Sequence, residues 1–109
     1  MLNHICIMGR LTRDPELRYT QNQKPVCNFS IACERDRAID DVRPTDFVEC
    51  VAWNGTGEFV NRYFSKGQMI IVSGRLQMHK YEDRNGQQRT AHEINVSEAY
   101  FGEAKRDER

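Results

Sequence analysis

The chain has 109 residues, 39% of them hydrophobic and 29% charged, which suits one domain with a single modest core. Sixteen basic residues balance sixteen acidic ones, so bulk charge, the source of most non-specific affinity for nucleic acid, does not dominate, although local basic strips are allowed. No apolar run approaches the roughly 20 residues that span a membrane, and Met1-Leu2-Asn3-His4 lacks the charged and apolar segments of a leader, so a cytoplasmic chain with no membrane partner is expected.

In chain order, residues 2–11 read as a first strand rich in Ile and other apolar residues, with Gly9 as a bend or bulge. Asp14-Pro15 marks a turn and residues 19–25 form a polar loop. A second strand over residues 26–34 has the clearest period-two pattern, with Cys27, Phe29, Ile31 and Cys33 on one face and Asn28, Ser30 and Ala32 on the other. Residues 34–45 are a charged connection leading to a third strand, Asp46 to Trp53. Thr56 is the expected cap of a helix over residues 57–66 whose apolar stripe is Phe59, Tyr63 and Phe64, with Gly67 just past its end. A long fourth strand covers residues 69–81, and Gly74 within it permits sharp curvature. Asn85-Gly86 reads as a two-residue hairpin turn, returning the chain through Arg89 to a fifth strand that ends near Phe101.

This pattern is all-β with one short helix. Three strands, a helix and two strands fit a five-stranded Greek-key OB-fold barrel over residues 1–102, its helix plugging one end. Residues 103–109 read as a charged, disordered tail.

The third strand carries the most informative residues. Val48, Cys50 and Ala52 form its small apolar face, while Phe47, Glu49, Val51 and Trp53 share the other. Two large aromatics separated by a carboxylate and a valine admit two readings. Either they are exposed platforms for unpaired bases, or a second layer covers them as ordinary core.

Cys6, Cys27, Cys33 and Cys50 form no Cys-x-x-Cys pair, and His4, His79 and His92 are scattered, so the clustered spacing of a metal site is missing. The thiols are expected to be reduced and buried. No cofactor is implied, and neither a phosphate-binding Gly-rich loop nor a catalytic carboxylate pair is evident. Cys50, the one candidate nucleophile, falls on the expected core face, where a thiol is inert. An enzyme is therefore not expected.

The run Met8-Gly9-Arg10-Leu11-Thr12-Arg13-Asp14-Pro15-Glu16-Leu17-Arg18-Tyr19, together with Asp46-Phe47-Val48-Glu49-Cys50-Val51-Ala52-Trp53, Lys66-Gly67, Gly74-Arg75-Leu76-Gln77 and Tyr81-Glu82-Asp83-Arg84-Asn85-Gly86-Gln87, closely resembles the bacterial single-stranded DNA-binding protein family over residues 1–101. The resemblance implies an OB fold assembled as a homotetramer, with a dimer as the alternative. It further implies sequence-independent binding of single-stranded DNA in replication, recombination and repair. Stacking aromatics of the family match Phe47, Trp53 and Tyr81. A further family aromatic falls where this chain has Arg35-Asp36-Arg37, and family members continue into an acidic tip whereas this sequence stops at Asp107-Glu108-Arg109. Recruitment of partners through such a tip is not expected of this chain as it stands.

Backbone contacts are assigned to Arg10, Arg35, Arg37, Arg75, Lys80, Arg84 and Arg89, each with the alternative of a solvated surface charge. Arg18 is read as pairing with a neighbouring carboxylate as readily as contacting DNA. The rival function is an OB-fold module for RNA or for protein interaction, since the same platform accepts either.

Overall fold

A computed structural model describes residues 1–103. In chain order it comprises β1 (Ile5–Leu11), β2 (Glu16–Tyr19), β3 (Pro25–Glu34), β4 (Thr45–Trp53), α1 (Asn54–Tyr63), β5 (Met69–Glu82) and β6 (Gln88–Phe101). β1, β5, β6, β4 and β3 are hydrogen-bonded in that order, and β3 returns to β1 through Arg10↔Ala32 and Leu11↔Ile31. The five strands thus form a closed ring, with a parallel β4–β6 pair as its one parallel seam. This is the expected barrel.

Three boundaries differ from the pattern reading. The first strand begins at Ile5 rather than Leu2, because the Asn3 side chain takes the place of a ladder rung: its Nδ2 donates to the Leu76 carbonyl at 2.8 Å and its Oδ1 accepts from the Leu76 N–H at 3.0 Å. The polar stretch before β3 contains the additional strand β2, which pairs Leu17 with Cys27 and Tyr19 with Pro25. The turn between β5 and β6 spans residues 83–87, where the Asp83 N–H donates to the Gln87 carbonyl and the Gly86 N–H to the Asp83 carbonyl. Gly86 has φ 77° while Asn85 stays in the ordinary region. A two-residue type I′ turn needs positive φ at both positions, and the Asp83 carboxylate instead draws in the N–H groups of Asn85 and Gln87.

The core follows the strand alternation. Cys27, Phe29 and Ile31 of β3, Cys50 and Ala52 of β4, Ile70 and Val72 of β5, and Ile94 and Val96 of β6 all point inward and are buried. Gly74 sits where the β5–β6 register shifts by one residue, and a Cβ there would collide with the Asn95 carbonyl. The absent side chain lets β5 bend around the barrel at this point.

Helix α1 covers one end of the core with Val60 and, just beyond its last turn, Phe64. Its aromatic stripe meets the far end of β6, where Phe64 and Phe101 stack with centroids 4.8 Å apart and Phe59 lies 5.8 Å from Phe101. Thr56 is not the cap: the helix starts two residues earlier and the Thr56 hydroxyl donates to the Ser97 carbonyl at 3.3 Å. The chain reverses from β4 into α1 at Asn54, which adopts φ 56°. Asn tolerates that left-handed geometry better than most residues.

The cysteines divide. Cys27 and Cys50 are buried, and burial pushes their thiols up to about 11 and about 12, with the Glu49 and Glu93 charges adding to the rise at Cys50. Cys33 is half-buried. Cys6, expected inside, is exposed, because it alternates with Ile5 and Ile7 on the outer face of β1 together with Met8 and Arg10. Of residues 103–109, Glu103 is described and accepts from Arg10 at 3.2 Å; the remainder of the expected tail lies outside the described residues.

Candidate nucleic-acid interface

β4 places Phe47, Glu49, Val51 and Trp53 on the outside of the barrel, opposite Cys50 and Ala52. Phe47 is 69% exposed, Trp53 39% and Tyr81 47%. None of the three is core. Val51 departs from its neighbours at 5% exposure, because it occupies the middle of the cross-strand row Asn28, Val51, Asn95 and is flanked on both sides.

Strand register shows what accompanies each aromatic. Phe47 pairs with Ala32, which pairs with Arg10, so Arg10 stands two strands, or about 10 Å, from Phe47 on the same outer face. Trp53 pairs with Val26, which pairs with Arg18. Arg18 is thereby placed in the same cross-strand row as Trp53, two strands away, and its Nη2 donates to the Asn28 side chain at 3.3 Å rather than to a carboxylate. Tyr81 pairs with Arg89, and its ring lies 6.5 Å from that of His79. Gln77, His79 and Tyr81 alternate with Leu76, Met78 and Lys80 along β5, so Lys80 faces away from Tyr81.

The assigned cations fall into two groups. Arg10 donates to the Gly67 carbonyl at 3.0 Å and pairs with Glu103. Arg35 grips Asp46 through Nε and Nη2, both at 3.0 Å, holding the Asp46 carboxyl below its ordinary range. Arg89 Nε donates to Asp83 at 2.8 Å. Arg37, Arg75, Lys80 and Arg84 have no ion pair among the described residues. Arg75 lines a shallow open groove with Asn3, His4, Asn95 and Ser97.

Two features escaped the pattern reading. In the connection between β3 and β4, Ile39 and Val42 form an isolated antiparallel bridge across Asp40 and Asp41, whose φ values are 52° and 65°. The Ile39 and Val42 side chains are exposed at this tip. Asp-Asp between two β-branched residues was the available signal. The second feature is that Glu49 pairs laterally with Glu93 on the parallel seam, a long-range relation with no local signature.

The sequence profile of the single-strand binding protein family matches residues 2–102. The chain belongs to that family. It is 41% identical to a single-stranded DNA-binding protein of Fusobacterium nucleatum over 95% of this chain and 69% of the relative. It is 40% identical to single-stranded DNA-binding protein A of Bacillus subtilis over 96% of this chain and 62% of the relative. Single-stranded DNA-binding protein 1 of Streptococcus pyogenes is 37% identical, over 98% and 82%. Family membership supplies the OB-fold name for the closed ring described above, and these relatives are named as binding proteins, a class without catalysis. Among the described residues no helix is long and apolar enough to cross a membrane.

Proposed function

We propose that this chain binds single-stranded DNA with little regard to sequence, stacking bases on Phe47, Trp53 and Tyr81 while Arg and Lys side chains meet the backbone. The observation that carries this reading is the exposure of all three rings on one barrel, since each exposed ring offers a face to any base. Arg37, Arg75, Lys80, Arg84 and, from its place in the Trp53 row, Arg18 are the cations best placed to reach phosphate without first giving up an ion pair. The names of the relatives support single-stranded DNA as the partner, and service in replication, recombination and repair within the bacterial cytoplasm follows as part of the same proposal.

Assembly through β1 belongs to it as well. Among the described residues Ile5 to Gly9 pair only with β5, on one side, leaving an open edge, and the adjoining outer row Met8, Ile71, Tyr100 is apolar, with Met8 and Tyr100 exposed. A second copy of the chain can satisfy both, and a homotetramer is the expected product, built from such dimers. Light scattering at micromolar concentration tests this, and a monomer there would sink the assembly reading.

The chain's single tryptophan tests the binding mode. Saturating single-stranded DNA should strongly quench Trp53 fluorescence, and duplex DNA at the same concentration should leave it nearly unchanged. A matching uridine strand that binds as tightly as deoxythymidine would shift the reading to RNA. Unchanged emission with single strands would remove Trp53 as a platform.

A further inference from the structure

Glu49 occupies the middle of the proposed stacking surface, two residues from Phe47, or about 7 Å along β4. It is well exposed, with 57% of its side chain open to solvent. Its one ion pair is with Arg13 at 3.6 Å, on Oε1, and among the described residues no donor makes a hydrogen bond to either oxygen. Glu93, beside it on β6, is the opposite case: it is only 18% exposed, and its Oε1 already takes Gln77 Nε2 at 3.0 Å and His79 Nδ1 at 3.5 Å.

Glu49, held only by the long Arg13 ion pair, and Glu93 beside it disfavour a phosphodiester over this row, which favours a base there. A carboxylate accepts hydrogen bonds and donates none. In an unpaired strand the Watson–Crick edges are free to meet it. Guanine alone offers two parallel donors on that edge, N1–H and the N2 amine, which match the carboxylate fork. Cytosine and adenine offer one amine beside a ring acceptor, and thymine offers one N–H between two carbonyls.

Resting on the binding mode proposed above, we infer that Glu49 is a specificity-determining residue that makes one subsite on the Phe47 side of β4 prefer guanine. The remaining subsites stay sequence-tolerant.

The test compares three twelve-residue strands by tryptophan quenching in lithium buffer, which keeps guanine strands unfolded: alternating thymine–guanine, alternating thymine–hypoxanthine (deoxyinosine), and all thymine. The first two differ only in the N2 amine. The wild-type protein should bind the guanine strand at least about five-fold more tightly than the inosine strand, the lower end expected of a bidentate base contact. Glu49→Ala should bring the two within about two-fold, because neither donor then has its acceptor. Equal wild-type affinities overturn the inference, as does a preference that survives Glu49→Ala. Binding of the all-thymine strand separates the two levels: if it binds while guanine and inosine strands are alike, only the guanine subsite is lost. Failure of all three strands to bind, measured also by titration calorimetry so that a silent Trp53 is not mistaken for absent binding, overturns the binding proposal and the subsite with it.

Discussion

Arg89 Nε donates to Asp83 Oδ2 at 2.8 Å across the β5–β6 turn, so a cation beside Tyr81 is tied to the carboxylate that also organises the turn backbone. The Arg89 hydrogen bond, followed by the Gln87 and Asn85 N–H groups, holds the Asp83 carboxyl below its ordinary range. A carboxylate with a depressed folded-state pKa stabilises when charged. Its contribution is complete above the usual carboxylate pKa and disappears as pH falls through the lower folded value. Titration followed by NMR should therefore show the Asp83 carboxyl and the Arg89 Nε–H moving together, below the range of the exposed acids. Asp83→Asn should abolish that joint transition and leave the thermal stability of the chain independent of it.

Phe47 and Trp53 should separate binding from stability. Phe47→Ala is expected to weaken single-stranded DNA binding by about 1–3 kcal/mol, the range for one stacked base, with almost no change in melting temperature because Phe47 is so exposed. Trp53→Ala should cost a similar amount of binding and also lower the melting temperature measurably, since Trp53 is more covered. Titration calorimetry and thermal melts on both variants check this. A Trp53→Ala chain that fails to fold would count against Trp53 as a stacking platform.

Salt dependence should be shallow. With Arg10, Arg35 and Arg89 already paired to carboxylates, four assigned cations and Arg18 remain, and at roughly −0.7 per phosphate the slope of log K against log salt should lie between about −3 and −3.5. A measured slope near −5 would mean that the paired arginines also reach the backbone and that charge carries the affinity.

The left-handed Asn54 is the hinge on which Trp53 and α1 are set. Asn54→Gly should be tolerated, whereas Asn54→Val should destabilise the fold by about 1–2 kcal/mol or more, because a branched side chain clashes in that conformation. Chemical denaturation of the two variants measures the difference.

The five barrel strands, the helix and its place between the third and fourth of them were legible because they follow from local pattern: period-two alternation in β3 and β4, an aromatic stripe at helical spacing, and a bend glycine at Gly74, whereas the short β2 was not. Phe47 and Trp53 were legible as candidates for a related reason, as large rings on the face opposite a small apolar one, strengthened by resemblance, whereas Tyr81 on β5 was marked by resemblance alone. What stayed hidden depends on groups distant in sequence that compete for the same partner. Thr56 carries a capping side chain, yet α1 had already begun at Asn54 and the hydroxyl found the Ser97 carbonyl on β6, the strand beside β4. Asn85-Gly86 is a strong turn signal, yet Asp83 offered the backbone more hydrogen bonds in a longer turn. Exposure of Cys6, burial of Val51, and the pairing of Arg10, Arg35 and Arg89 with carboxylates all depend on strand register and on which neighbours it delivers. The same holds for Glu49 beside Glu93. Each is an ordinary surface residue in its own strand, and only the parallel seam that closes the barrel makes them adjacent.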